Sequence, residues 1–240
     1  MTRNTTDSPQ FGFVVENWVA PARPEAAVMA GRFATLVALD ADAHSAQLFE
    51  AYWGLDQVWD YLPYGPFDTQ DAYYEWVSSA ARDPATCFYA IIDNATARAV
   101  GVASYLRIDP TSGSIEVGHL NFSPRLQKTK AATEAMFLMM KWAFEAGYRR
   151  YEWKCDAANI PSRRAALRLG FSYEGIFRQA AVVKGRNRDT AWFACIDSEW
   201  SALRTAFQVW LSDDNFEDGR QINSLSELTG PVRVSGDPAL

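Results

Sequence analysis

The 240-residue sequence predicts a mixed α/β (α+β) fold: one domain with a mostly antiparallel central sheet flanked by helices. Three observations carry that prediction. Hydrophobic residues make up 48% and aromatic residues 14% of the chain, enough for a large core and unlike a disordered or fibrous protein. Short β-rich runs alternate with segments of helical periodicity. The runs at 87–92, 99–108 and 114–122 follow one another through short polar turns, the pattern of consecutive hairpins rather than of a doubly wound sheet.

The elements follow in order. Residues 1–30 form a polar arm punctuated by Pro9, Pro21 and Pro24. GRFATLVALD (31–40) reads as a strand, after which Asp40 or Asp42 caps a helix to Tyr52. WDYLPYGPF (59–67) is a loop, because Pro63, Gly65 and Pro66 interrupt regular structure. Asp68 or Thr69 starts a second helix through Ala81. CFYAII (87–92), AVGVASYLRI (99–108) and SIEVGHLNF (114–122) are strands. A long helix runs from Thr129 or Lys130 to Ala146, with Met136, Met140, Ala143 and Phe144 as its apolar stripe and Gly147 as its stop. RRYEWKC (149–155) is a strand, and Asn159 caps a short helix that Gly170 ends. Residues 171–183 and 189–196 pair across Lys184–Asn187. Residues 201–240 hold the end of a last helix (198–211) and an irregular tail, so the main domain spans 31–200.

Charge and cysteine usage exclude several classes. The net charge is −6, yet Arg125 to Arg188 holds 14 basic and 5 acidic residues, a local +9 that leaves −15 elsewhere. A basic region on an acidic chain fits a small polyanionic ligand or a solvated face, and not a nucleic-acid partner. No stretch approaches the roughly 20 apolar residues that cross a bilayer. MTRNTTDSPQ has no apolar segment behind Arg3 and is not a signal peptide. Cys87, Cys155 and Cys195 are lone thiols suited to a reduced, cytoplasmic setting, and His44 and His119 are too few for a histidine-based metal centre.

The central motifs IEVGHLNFSP (115–124), RLQKTKAATEA (125–135) and NIPSRRAALRLGF (159–171), supported by RQAAVVKGRNRDTAWFACID (178–197), resemble the GNAT superfamily of N-acetyltransferases and its RimJ/RimL-like branch over about residues 31–200. The resemblance implies a GNAT-like domain with a splayed sheet, acetyl-CoA as cosubstrate without a metal, and a primary amine as acceptor. It also implies a donor site built from the backbone of Leu120, Asn121 and Phe122, from Arg125, Gln127, Lys128, Thr129, Lys130, Ala131 and Ala132, and from Asn159 and Arg163.

The residues themselves bear on that chemistry. A pyrophosphate needs backbone N–H groups at a helix start, and the segment after Phe122 supplies one. Here the family's R/Q-x-x-G-x-G/A pattern reads Arg125-x-x-Lys128-x-Lys130-x-Ala132, with lysine at both glycine positions. Lysine at a helix N-terminus opposes the helix dipole, which points to an anion nearby. Gly118, in mid-strand, marks a bulge, a close backbone approach or room for a large neighbour.

Aminolysis of a thioester needs a deprotonated amine, hence a general base. Glu116 shares a strand face with Gly118 and matches a carboxylate that some members use; Asp156 and Asp189 are rivals. The leaving thiolate needs a proton donor. The tyrosine of many members is replaced by Ala166, while Ser162 matches the serine of the RimJ/RimL-like branch. The acceptor is expected against Trp59, Asp60, Tyr61, Tyr64 and Asp189, with His119 reading as a core histidine. A small-molecule amine or a protein N-terminus fits as acceptor. A non-catalytic acyl-CoA sensor is the alternative. The stripe Trp200, Leu203, Phe207, Trp210 and Leu211 covers the core, a homodimer contact or an adaptor surface.

Overall fold

The computed structural model describes residues 11–240. The first ten residues of the expected arm, and with them the reading of MTRNTTDSPQ, lie outside the described residues. Eight strands form one sheet: β1 (Met29–Ala30), β2 (Ala34–Ala38), β3 (Cys87–Asp93), β4 (Arg98–Asp109), β5 (Ser114–Phe122), β6 (Arg150–Asp156), β7 (Ser172–Val183) and β8 (Arg186–Ile196). Their order is β1-β2-β3-β4-β5-β6-β8-β7. Every neighbouring pair is antiparallel except β5 and β6, which are joined through a helix and run parallel. This is the mixed, mostly antiparallel sheet that the hairpin spacing predicts.

Helices cover both faces. On one face lie α1 (Ala41–Tyr52) and α2 (Gln70–Arg82); on the other lie α3 (Lys130–Glu145), α4 (Ile160–Arg168) and α5 (Asp197–Leu211). Strand alternation feeds two cores: in β3, Phe88 and Ala90 pack towards α1 and α2, whereas Tyr89 and Ile91 pack towards α3. Asp40 and Thr69 cap α1 and α2, and Thr129 caps α3 by accepting from the Ala132 N–H at 3.1 Å.

The expected strand over 31–40 is broken at its start. The N–H groups of Arg32, Phe33 and Ala34 all donate to the carboxylate of Glu134, buried on α3, and this fastens the β1–β2 turn to that helix. The stripe on α5 lies over the core: Phe207 stacks on Phe137 at 5.2 Å and Trp200 on Phe144 at 5.2 Å. The tail carries a short hairpin, β9 (Phe216–Glu217) with β10 (Arg220–Gln221), and the one-turn α6 (Leu225–Thr229). It then returns to α4, where Asp237 meets Arg163.

Candidate active site

The sheet opens between β5 and β6. Their register runs from Ser114–Arg150 through Ile115–Tyr151 and Glu116–Glu152 to Val117–Trp153, and ends there. Beyond it, β5 continues on β4 alone and β6 on β8 alone. The cause lies in β5, where the register with β4 shifts between the Ser104–Gly118 and Val102–Asn121 pairs and His119 takes φ +51°. That bulge bends the strand away from β6. Gly118 leaves room for Leu106, whose Cδ2 would lie 2.8 Å from an added Cβ. A cavity of about 670 Å³ fills the opening.

One wall is made by Pro124 and Gln127 of the turn before α3 and by Asn159, Pro161 and Ser162 at the start of α4. Leu126, fully buried over Gly101, anchors the turn that precedes α3. Lys128 sits in that turn at φ +62°, a conformation that favours glycine. Thr129 Oγ1 satisfies the Ala132 N–H; among the described residues nothing bonds the N–H groups of Lys130 and Ala131, the orphan donors of a helix start. Asn159 caps α4 by accepting from the Ser162 N–H at 3.1 Å. Ser162 Oγ accepts from the indole N–H of Trp153 at 3.1 Å, and its hydroxyl also lies against the Cys155 sulfur. Burial pushes the neighbouring Cys155 thiol up, which makes it inert at neutral pH.

The opposite wall is polar and cationic. Glu116, only 2% exposed, accepts from Arg107 Nη1 with both oxygens, at 2.7 and 2.8 Å, and lies 2.9 Å from Lys154 Nζ. Lys154 also reaches Glu152 at 2.7 Å and sits over the Trp192 ring at 3.8 Å. Burial works to raise the Glu152 carboxyl, but hydrogen bonds from Arg150 and Lys154 outweigh it and hold the group below its usual range. His119 lines the same cavity, its Nδ1 3.1 Å from the Tyr64 hydroxyl. Burial first, then Arg107 and Arg188, pushes its pKa down to about 4, against a minor opposing pull from Asp83, so the imidazole is neutral at neutral pH. The roof is tied down by Lys184 Nζ donating to the Trp59 carbonyl at 2.9 Å and by the Tyr61 hydroxyl donating to the Ala158 carbonyl at 3.3 Å.

Several expected site residues meet at this cavity: Glu116, Leu120, Gln127, Asn159, Ser162 and Tyr61 all line it. Others do not. Arg163 is buried and turned away, its guanidinium taken by Asp237 and the Ala157 carbonyl. The Lys130 ammonium lies 3.4 Å from the Phe216 ring centre, held by the tail rather than offered to the cavity. Arg125 is exposed, 3.9 Å from Glu50. Of the β5 carbonyls, that of Asn121 accepts from the Tyr52 hydroxyl at 2.6 Å and that of Phe122 from Gln127 Nε2 at 2.8 Å.

Trp59 is buried among Tyr52, Phe67 and Tyr73, and Asp60 is exposed outside the cavity. Asp189 accepts from the Gln179 N–H at 2.7 Å and from Asn187 Nδ2 at 3.0 Å, which fixes the β7–β8 end instead of facing an acceptor. Tyr64 does not line the cavity but touches it through its hydroxyl contact with His119. Lining residues that the sequence did not single out are Arg107, Lys154, Arg188 and Trp192, and His119 is a wall residue rather than a core one.

A parted parallel strand pair, with the turn before α3 and the start of α4 on one side and a titratable wall on the other, is the arrangement of an acyl-group transferase of the splayed-sheet kind. The acetyltransferase (GNAT) domain family matches residues 34–172, more than half of the chain, and the protein belongs to that family. It is an N-acetyltransferase; acetyl-CoA is the cosubstrate the family uses. A crystal structure of a GCN5-related N-acetyltransferase from Brucella melitensis is similar, at 43% identity and TM-score 0.88 over 90% of this chain and 100% of that one. The uncharacterized N-acetyltransferase YnaD of Bacillus subtilis is 26% identical over 145 residues, 60% of this chain and 83% of its own. The ribosomal-protein-serine acetyltransferase of Escherichia coli is 30% identical over 101 residues, 42% of this chain and 56% of its own, in keeping with the RimJ/RimL-like resemblance. Among the described residues, no helix is long and apolar enough to cross a membrane.

Proposed function

We propose that the protein binds acetyl-CoA in the opening between β5 and β6 and passes the acetyl group directly to a primary amine in a ternary complex. The amine nitrogen forms a bond to the acetyl carbonyl carbon and loses a proton; the carbon–sulfur bond breaks and the coenzyme A sulfur takes a proton. The observation that carries this reading is the placement of Ser162 and Glu116 on opposite sides of the opening. Ser162, its oxygen held by Trp153, turns its hydroxyl hydrogen from the Cys155 sulfur to the departing one. The unpaired N–H groups of Lys130 and Ala131, with Lys128 beside them, suit the donor's phosphates.

Glu116 is the proton acceptor in this reading, with one limit. A carboxylate has about four lone-pair sites, and Arg107 and Lys154 occupy three of Glu116's. The remaining site takes a proton through water, and the cations around it favour the unprotonated amine by like-charge repulsion. A small-molecule amine and a protein N-terminus both fit as acceptor. The same reading places the protein in the cytoplasm, as a monomer or homodimer, acting without metal, nucleic acid or membrane.

The test is release of coenzyme A thiol across an amine panel. Ser162→Ala is expected to lower kcat about 100-fold with little change in the KM of acetyl-CoA, the scale of a lost general acid. Glu116→Gln is expected to lower kcat/KM most steeply at low pH. Wild-type protein that binds acetyl-CoA yet releases no thiol with any amine would overturn the reading.

A further inference from the structure

We propose that the acceptor is an amino carboxylate, and that Arg188 with the indole N–H of Trp192 receives its carboxylate while the amine faces the thioester. This deepens the acetyl-transfer reading and rests on it.

The cavity walls carry three cations, Arg107, Lys154 and Arg188, against two carboxylates, Glu116 and Asp156. Four of these five are engaged. Arg107 and Lys154 neutralise Glu116, and Asp156 accepts from the Ala158 N–H at 2.8 Å. Arg188 has no ion pair among the described residues, and its Nε is buried with no hydrogen-bond partner. Trp192 Nε1, in the same wall, is likewise buried and unpaired. A buried donor without an acceptor costs about 1–3 kcal/mol. Two such donors within the wall of one cavity, beside its one unneutralised cation, are matched by a ligand that brings only acceptor atoms and a negative charge, once the two side chains turn towards it. A carboxylate is that ligand, and a guanidinium recognises it best. Across the strand pair, Ala181 stands opposite Arg188, so a small side chain leaves space over the guanidinium.

Register assigns this anion site to the acceptor and not to the donor. On β8, Arg188, Thr190 and Trp192 share a face, and Trp192 and Thr190 stand opposite Lys154 and Asp156 of β6. Trp153 and Cys155, pointing the other way, are the residues that meet Ser162 and the core under α4. The start of α4, which lines the same cavity through Asn159, Pro161 and Ser162, thus approaches it from the other face of β6 than Arg188 does.

The experiment compares kcat/KM for amino acids with kcat/KM for their amides. Removing the carboxylate lowers the pKa of the amine, so reactivity alone favours the amide. The wild type is expected to favour the acid by about 30-fold, the scale of a charge-assisted contact. Arg188→Met is expected to erase that preference through the KM of the acid, with the KM of acetyl-CoA unchanged; Arg188→Lys keeps part of it. Trp192→Phe retains the ring, deletes the N–H and weakens acid binding, which serves should the arginine variant fail to fold. Equal use of acid and amide by the wild type overturns the proposal and leaves acetyl transfer standing. A rise in the KM of acetyl-CoA in Arg188→Met overturns it too, by assigning Arg188 to the donor. Absence of thiol release from every amine sinks the transfer reading and this one together.

Discussion

Glu116 and Glu152 stand directly opposite each other in the parallel register of β5 and β6, and Lys154 Nζ lies between them at 2.9 and 2.7 Å. Two like charges side by side on one sheet face repel. The buried ammonium turns that repulsion into a bridge, at the last register pair but one before the strands part.

Lys154→Met therefore removes the bridge and leaves two carboxylates facing each other. The expected loss is about 3–5 kcal/mol at neutral pH, the range for breaking a buried ion pair from one side. The Glu152 carboxyl is held below its usual range, so the stability it contributes is present above that range and is lost as pH falls. The variant's deficit should shrink towards pH 4, and urea unfolding at several pH values measures it.

His119 gives a pH dependence of opposite origin. Its folded pKa is about 4, against 6.5 for the ordinary imidazole. Between those values the unfolded chain binds the proton and the folded one does not, so stability falls as pH drops from 6.5 towards 4. The shift corresponds to roughly 3 kcal/mol. His119→Gln should lose that slope, and thermal melts at pH 4.5 and 7.5 on both proteins show whether it does.

Arg163 and Asp237 are both almost fully buried and pair with each other. Asp237→Ala leaves the guanidinium without its counter-charge, with an expected loss of about 3 kcal/mol and a fall in Tm of several degrees. Arg163→Met combined with Asp237→Leu should recover much of it. A double variant no better than Asp237→Ala would show that the pair does not act as a unit.

Lys128→Gly replaces a side chain at φ +62° with the residue that adopts this conformation freely. Relief of strain and the added flexibility of the unfolded chain oppose each other, so Tm should move little. The lost charge should raise the KM of acetyl-CoA up to about fivefold, the scale of an exposed ion pair, and less so at high salt. An unchanged KM would remove Lys128 from the donor site.

The fold was legible because hairpin spacing, helix caps and hydrophobic period all agree. Asp40, Thr69, Thr129 and Asn159 each cap the helix that their position suggests. The placing of Asn159 and Ser162 at the cavity was legible for the same reason: one short helix fixes both. The wall of Glu116, Lys154 and Trp192 was not, because it is a product of register. Nothing local in the sequence shows that Glu116 meets Glu152, or that Lys154 and Trp192 share a face; these depend on a parallel pairing between strands separated by a helix. One signal was available: a buried strand glutamate needs cations, and Arg107 and Lys154 lie on the strands either side of β5. Arg163 and Lys130 were misplaced because their partners, Asp237 and Phe216, come from a tail that reads as irregular.

The clamp on α4 arrives late in synthesis. Asp237 is 74 positions downstream of Arg163, so a nascent chain that has already emerged through α4 still carries an unpaired guanidinium at that helix. Ribosome-bound intermediates of this protein should have the sheet in place before the helix that presents Ser162 is locked, and the tail completes that lock.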